Sequence, residues 1–156
     1  MTTATYDFDT QLAQGETGEH YLDQRYSEHY TIRPASAADQ RRGIDRWYTR
    51  LSDGETFSVE YKTDHTAART GNAFIETISV DTVGKPGWAY TSQARFLLYY
   101  IPKPDTIYII PMARLRVLVD AWRQRYPERR INNGTYHTVG TLVPLDEIER
   151  IAVAVE

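Results

Sequence analysis

Ile44-Asp45-Arg46-Trp47-Tyr48-Thr49-Arg50-Leu51 and Thr56-Phe57-Ser58-Val59-Glu60-Tyr61-Lys62-Thr63 are two runs rich in aromatic and β-branched residues, separated by Ser52-Asp53-Gly54-Glu55. Such residues suit a pleated, half-buried surface, and Asp-Gly is a favoured two-residue hairpin turn. The pair therefore reads as a β-hairpin. With Asp53-Gly54 as the loop, Thr49 faces Ser58, Trp47 faces Glu60 and Asp45 faces Lys62. Alternation along each strand sets these six side chains on one face. The opposite face carries Ile44, Tyr48, Phe57, Val59 and Tyr61 with two arginines, and reads as largely core.

Upstream, Leu22, Tyr26 and Tyr30 recur at spacing four and predict a helix over about Gln11 to His29. Gly15 and Gly18 weaken its first half, so it is expected to be secure only from Glu16. Residues 1–10 read as a loose lead-in. Tyr30–Arg33 is a short strand ended by Pro34. Downstream, Ala73–Val80 reads as a strand and Gly84–Gly87 as a loop. Arg95–Ile101, a near-continuous apolar run, reads as a buried strand paired with Thr106–Ile110 across a turn at Lys103–Asp105. Met112–Tyr126 carries Leu115, Leu118, Val119, Trp122 and Tyr126 at helical spacing, and Pro127 closes it. A strand at Tyr136–Val143 and a short helix at Leu145–Arg150 complete the order. The class is α/β in the broad sense, an α+β mixed sheet with helices packed on it.

A chain of 156 residues has room for one domain with one core. Its 41% hydrophobic and 25% charged residues match ordinary globular chains, which argues against wholesale disorder. No apolar run approaches the ~20 residues that span a bilayer, so no membrane partner is expected. Met1–Thr10 lacks the basic flank and apolar stretch of a secretory signal. The absence of cysteine excludes disulfides, a thiol nucleophile and a thiolate zinc site. A cytoplasmic protein is the default expectation. Residues 1–32 carry six acids and one base, residues 33–130 sixteen bases and eleven acids, and residues 131–156 one base and four acids. A mildly basic centre between acidic ends is compatible with a polyanionic partner.

Asp45, Glu60 and Lys62 form the pattern D-x14-E-x-K, and the hairpin gathers two carboxylates and an ammonium on one face. Neighbouring carboxylates repel and raise each other's pKa. A divalent cation between them removes the repulsion. Mg²⁺ suits such a site, because it keeps several waters and needs one or two carboxylates plus substrate phosphate oxygens. A lysine beside it can orient the attacking water and offset charge on a pentavalent phosphorane. The chemistry so specified is metal-assisted phosphodiester hydrolysis. An E-x-K pattern is also common as a plain cross-strand ion pair.

Gly43-Ile44-Asp45, followed after a hairpin by Val59-Glu60-Tyr61-Lys62, resembles the core motif of the PD-(D/E)XK nuclease superfamily, with Ile44 where the motif has proline. Gly15-Glu16-Thr17-Gly18-Glu19 resembles that superfamily's helix-borne acidic motif, Glu19 being the match and Glu16 the fallback. The stretches GIDR, VEYKTD, GNAFIETIS and TSQAR-to-YYIP are similar to the small intron-encoded homing endonucleases of cyanobacteria and their phages. The resemblance implies a restriction-endonuclease-like core over about residues 15–126, with 131–156 as an extension of one domain. It implies metal binding by Asp45, Glu60, the Tyr61 backbone carbonyl and Glu19, with Lys62 serving catalysis. It further implies Mg²⁺ (Mn²⁺ substituting), a double-stranded DNA substrate, a prokaryotic or phage origin, and a homo-oligomer, dimer or tetramer, matched to two-fold DNA. Holliday-junction resolvases share a similar core, and a catalytically silent DNA-binding domain of the same fold is the remaining alternative.

Around this centre, Arg41, Arg42 and Arg46 flank Asp45 and are phosphate-contact candidates. Arg69, in Asp64–Asn72, and Lys85, in the loop Lys85–Trp88, lie on segments long enough to embrace a duplex. Gln93 could reach the site or a phosphate. Glu76 could add a carboxylate or face solvent. His20, His29, His65 and His137 show no metal-ligand spacing, and His65 alone is placed near the active edge. The arginines of Met112–Arg130 fit a second basic surface or a solvated helix face equally.

Overall fold

In a computed structural model, which describes residues 8–156, the hairpin forms the middle of a six-stranded sheet. Helix α1 (Phe8–Tyr26) leads into β1 (Tyr30–Pro34) and the short α2 (Ala37–Arg41). Then come β2 (Arg46–Arg50) and β3 (Thr56–Thr63), α3 (Ala67–Thr70), β4 (Asn72–Val80), a single 3-10 turn at Asp81–Val83 and β5 (Lys85–Pro86). The chain continues through α4 (Trp88–Thr91), β6 (Phe96–Ile101), β7 (Thr106–Pro111) and α5 (Met112–Arg125). It ends with β8 (Glu128–Asn132), β9 (His137–Pro144), α6 (Leu145–Ile151) and β10 (Ala154–Val155). The larger sheet runs β1-β2-β3-β6-β7-β10, with β3 and β6 parallel and its other pairs antiparallel. A second, antiparallel sheet runs β5-β4-β9-β8.

The expected mixed α+β architecture is therefore present, with an addition. β8 and β9 pair with each other, and β9 pairs with β4, so the carboxy-terminal segment builds a sheet of its own with the middle of the chain. The expected lead-in at residues 1–10 lies outside the described residues up to Asp7, and Phe8 already begins α1. Gly15 and Gly18 do not interrupt that helix. At Gly18 a Cβ would stand 2.1 Å from Thr63 Oγ1, so the bare glycine lets α1 lie directly on β3.

The strand β6 divides the core. Leu97, Tyr99 and Ile101 point into a cluster with Ile75, Val143, Trp88, Leu115, Val119, Trp122 and Ile148, which joins the second sheet to α4, α5 and α6. Leu98 and Tyr100 point the other way, to Leu22, Tyr26, Tyr48, Phe57, Val59 and Tyr61 beneath α1. A strand covered on both faces reads as an unbroken apolar run, which is why FLLYYI shows no alternation.

The hairpin register differs from the expected one. Arg46 opposes Val59, Trp47 opposes Ser58 and Thr49 opposes Thr56, which places Asp45 across from Glu60 and not Lys62. The loop holds four residues, Leu51 to Gly54, closed by Arg50 N–H donating to Glu55 O at 2.8 Å. Two contacts account for this. Leu51 N–H donates to His29 O at 3.0 Å, which keeps Leu51 beside the start of β1. The Arg50 guanidinium binds both Asp53 and Glu55 at 2.8 Å. A slip of two residues preserves which side chains share a face, whereas a slip of one would have inverted them. Ile44 also departs from expectation: it packs with Ala35, Ala94 and Trp47, away from the cluster under α1.

Candidate active site

Asp45 sits just before β2, where the chain leaves the ladder. Gly43 delivers it there with a left-handed φ of +76°, and a Cβ on Gly43 would lie 2.8 Å from Ser92 Cα. Ser92, fully buried, donates its hydroxyl to Gly43 O at 2.9 Å. Glycine meets both requirements at once. The Asp45 backbone N–H then donates to Val59 O at 2.9 Å, and its carboxylate Oδ2 accepts from Tyr61 N–H at 2.7 Å. The N–H and C=O of one strand residue face the same neighbour. The Tyr61 carbonyl therefore points to the same side as the Asp45 carboxylate, past the start of β2.

On β3, Glu60 is buried, its side chain only 5% exposed, and its Oε1 lies 3.1 Å from Lys62 Nζ. The other oxygen, Glu60 Oε2, is buried with no hydrogen-bond partner. Burial drives the Glu60 carboxyl above its ordinary pKa, with Lys62 and the neighbouring Ser92 hydroxyl opposing and Asp45 adding to the rise, though that hydroxyl is directed to Gly43 O. Lys62 keeps 36% of its side chain exposed and sits 5.7 Å from the centre of the Trp88 ring. Burial pulls its pKa down, but the carboxylates of Glu60, Glu76 and Asp45 outweigh that and hold it above the usual lysine value. The ammonium is therefore charged at neutral pH.

Glu19 is placed differently from these three. It is carried by α1, on the far face of the sheet, and reaches the margin of the site beyond β2. Its Oε2 lies 3.4 Å from Arg46 Nη2. Burial and the Asp45 charge raise its pKa against the pull of Arg46. Arg46 itself is held inside, 14% exposed, on Asp23 at 3.1 Å and over the Tyr61 ring. Among the described residues no three acidic or histidine side chains converge as a ready-made metal cage. The close constellation is Asp45, Glu60, Lys62 and the Tyr61 backbone, with Glu19 at its edge and Glu16 exposed to solvent.

Glu76 belongs to the site. It comes from β4 in the second sheet and accepts Trp88 N–H at 3.2 Å. Burial raises its pKa, and Lys62 opposes the rise. Lys62, Glu76, Glu19, Tyr61, His65 and Trp88 all line one cleft of about 430 Å³, along with Arg129 and Ile131 of β8. The alternating pattern of AFIETISV allowed Glu76 either face; only the second sheet decides which one.

The other candidates do not line the cleft. Arg42 Nε donates to Gln93 Oε1 at 2.8 Å and its Nη1 to Asp39 at 2.9 Å, so Arg42 and Gln93 engage each other. Arg41, Arg69 and Lys85 are exposed. Three of the four α5 arginines hydrogen-bond within the fold, Arg114 on Ile151 O, Arg116 on Ala89 O and Ser92 O, and Arg123 on Tyr90, while Arg125 lies over the Tyr126 ring.

Among solved structures, this chain is similar to a bacterial homing endonuclease, I-Ssp6803I, with a TM-score of 0.50 over 66% of this chain and 70% of that one. The fold is nuclease-like. Sequence identity is 16%, so the likeness is one of architecture. No protein-family model and no curated protein matches the chain. Of the central residues, Lys62, Tyr61 and Glu19 line the cleft itself, while Asp45 and Glu60 lie behind Lys62, within reach of its charge.

Proposed function

We propose that the protein is a Mg²⁺-dependent DNA endonuclease of the PD-(D/E)XK type. The observation that carries this reading is Glu60 Oε2, a carboxylate oxygen buried without a hydrogen-bond partner on the face it shares with Asp45. An unsatisfied buried acceptor is costly, and a hard cation is the partner its chemistry fits. Asp45, Glu60 and the Tyr61 carbonyl would hold Mg²⁺, which needs only one or two carboxylates beside water and phosphate oxygens. When bound, the ion stabilises the charge that builds on the phosphate during in-line attack by water. Mn²⁺ fits the same oxygen donors.

The remaining work falls to side chains of this chain. Lys62, charged and 3.1 Å from Glu60, donates a hydrogen bond toward the attacking water or a phosphate oxygen and offsets negative charge there. Trp88 and Glu76 close the far side of Lys62 and limit its directions. Glu19 with Arg46 forms the margin, where a second carboxylate can accept from water. Cleavage of both strands requires two such sites, so a two-fold homo-oligomer, dimer or tetramer, is part of the proposal.

The test is incubation with plasmid, a four-way junction and single-stranded DNA, with Mg²⁺ or a chelator. Cutting of duplex that requires Mg²⁺ and disappears in folded Glu60→Gln and Lys62→Ala supports the reading. Preference for the junction would make it a resolvase. Binding without cutting would make it a DNA-binding domain. Mg²⁺ should also raise the melting temperature of the wild type and leave that of Glu60→Gln unchanged. An equal shift in both would remove Glu60 from the metal site.

A further inference from the structure

Across the second sheet, Glu76 on β4 opposes Gly140 on β9, and Gly140 opposes Arg129 on β8. Residues directly opposed in antiparallel ladders project to one face, so Glu76 and Arg129 emerge together, and Gly140 between them contributes no side chain of its own. The space over Gly140 is taken by the Phe74 ring, whose atoms stand 2.4 Å from where a Cβ would be. Phe74, Glu76, Arg129 and Ile131 thus give the cleft a wall from the second sheet, while Lys62 and Glu19 line it from the other side of the fold.

The charges in the cleft are not equally available. The Lys62 ammonium lies 3.1 Å from Glu60. Glu19 faces Arg46. Arg129, among the described residues, makes no ion pair and no side-chain hydrogen bond, whereas its neighbour Arg130, turned to the opposite face, binds Asp81 at 2.7 Å. A planar guanidinium with five donors and no protein acceptor matches phosphate in a bidentate manner. A cleft lined by Glu19, Asp64 and Glu76, with Asp45 and Glu60 close behind Lys62, repels a polyanion unless some cation in it is left for the ligand.

We infer that Arg129 is a phosphate-binding residue: it grips a backbone phosphate of the nucleic-acid strand in the cleft, next to the phosphodiester presented to Asp45, Glu60 and Lys62. The inference rests on the nucleic-acid substrate proposed above, but not on cleavage. The second sheet is then a substrate-positioning wall, and the bare Gly140 with the Phe74 ring forms the floor over which the strand passes.

The experiment measures binding of the full chain to labelled duplexes of several sequences in a chelator, over a range of salt. Arg129→Ala should weaken binding roughly tenfold on every duplex, the low end for a charged hydrogen bond. It should also flatten the slope of log K against log salt by about 1. Arg129→Gln, which keeps the stem and some hydrogen bonding, should show the same loss of slope, and Arg129→Lys should restore the slope but only part of the affinity. Arg150→Ala, at an exposed arginine paired with Glu147 on α6, should change neither. Unchanged affinity and slope in folded Arg129 variants, or a wild type that binds no DNA, would overturn the inference. An Arg129-dependent slope in a protein that never cuts DNA with Mg²⁺ would overturn the nuclease reading and leave the phosphate site standing.

Discussion

Replacing Gly87 with alanine isolates the contact that seats the start of α4 on β4 at the site. Gly87 has φ −79° and ψ 172°, a conformation any residue adopts, so alanine carries no backbone penalty. By reducing the freedom of the unfolded chain it would by itself add about 0.4–1 kcal/mol of stability. The obstacle is steric. The new Cβ would lie 2.5 Å from Glu76 O and 2.6 Å from Glu76 C, where an ordinary contact is about 3.5 Å or more. Those atoms belong to the backbone of β4, and Gly87 N–H is tied to Thr77 O at 2.9 Å, so neither side can swing away. Overpacking of this kind costs about 1–3 kcal/mol, and a backbone obstacle belongs at the upper end. The net expectation is a loss of about 2 kcal/mol, or about 1 M in the urea midpoint for an m-value near 2 kcal/mol/M. Gly15→Ala is the matched control: it lies in α1 with nothing within 4 Å of the new Cβ, and should gain up to about 1 kcal/mol. Because domains hold about 5–15 kcal/mol, Gly87→Ala stays folded and its function can be assayed. Opening the Gly87–Glu76 contact by about 1 Å separates Trp88 from Glu76 and from Lys62, and under the proposed nuclease reading a displacement of that size should lower the cleavage rate about 100-fold. A Gly87→Ala midpoint equal to or above wild type, with Gly15→Ala behaving as expected, would refute the packing argument.

Tyr99→Phe removes the hydroxyl that donates to the buried Asp64 carboxylate and accepts Phe74 N–H at 3.0 Å. Leaving those groups short of a partner should lower stability by about 2 kcal/mol in chemical denaturation, and a loss under 0.5 kcal/mol would contradict it. Glu76→Gln tests the electrostatics of the cleft wall. The folded pKa of Glu76 is raised, so the stability Glu76 contributes is full below its unfolded value of about 4.3 and is lost as pH rises through the higher folded value. The variant should therefore gain on wild type as pH is raised from 4 to 7 in parallel melts, and a difference that does not change with pH would refute the assignment.

What could be read along the chain was what local chemistry decides. The strands containing Tyr48, Phe57, Val59 and Tyr61 have the alternation of a half-covered surface, and α5 shows its buried stripe of Leu115, Val119 and Trp122. Asp45, Glu60 and Lys62 could be assigned a shared face because strand parity survives a loop longer by two residues. The exact register could not, since it is fixed by the contact of Leu51 with His29 and by the grip of Arg50 on Asp53 and Glu55, one of them reaching back more than twenty residues. Arg46 follows Asp45 in sequence, yet side chains alternate, and the parity that turns Asp45 toward Glu60 and Lys62 turns Arg46 to Asp23 and Glu19 under α1.

The second sheet shows the same limit at larger scale, and it bears on where function lies. The segment ERRIN in β8 carries three charged residues and one isoleucine, with half-buried Arg129 and Ile131 alternating with exposed neighbours, so its apolar signal is nearly empty. It is a strand because β9 lies beside it, and β9 is placed because β4 pairs with its other edge. Nothing within five residues of Arg129 encodes that dependence. A position whose side chain is not required by the local structure is free to be chosen for what it touches outside the fold. Arg129 spends a charge on a cleft wall with no protein partner, just as Glu60 spends a buried oxygen. Residues that the packing leaves unexplained, one cation on the cleft wall and one carboxylate beside the cleft's Lys62, are, in the proposed nuclease reading, the pair that a phosphodiester with a metal ion would satisfy together.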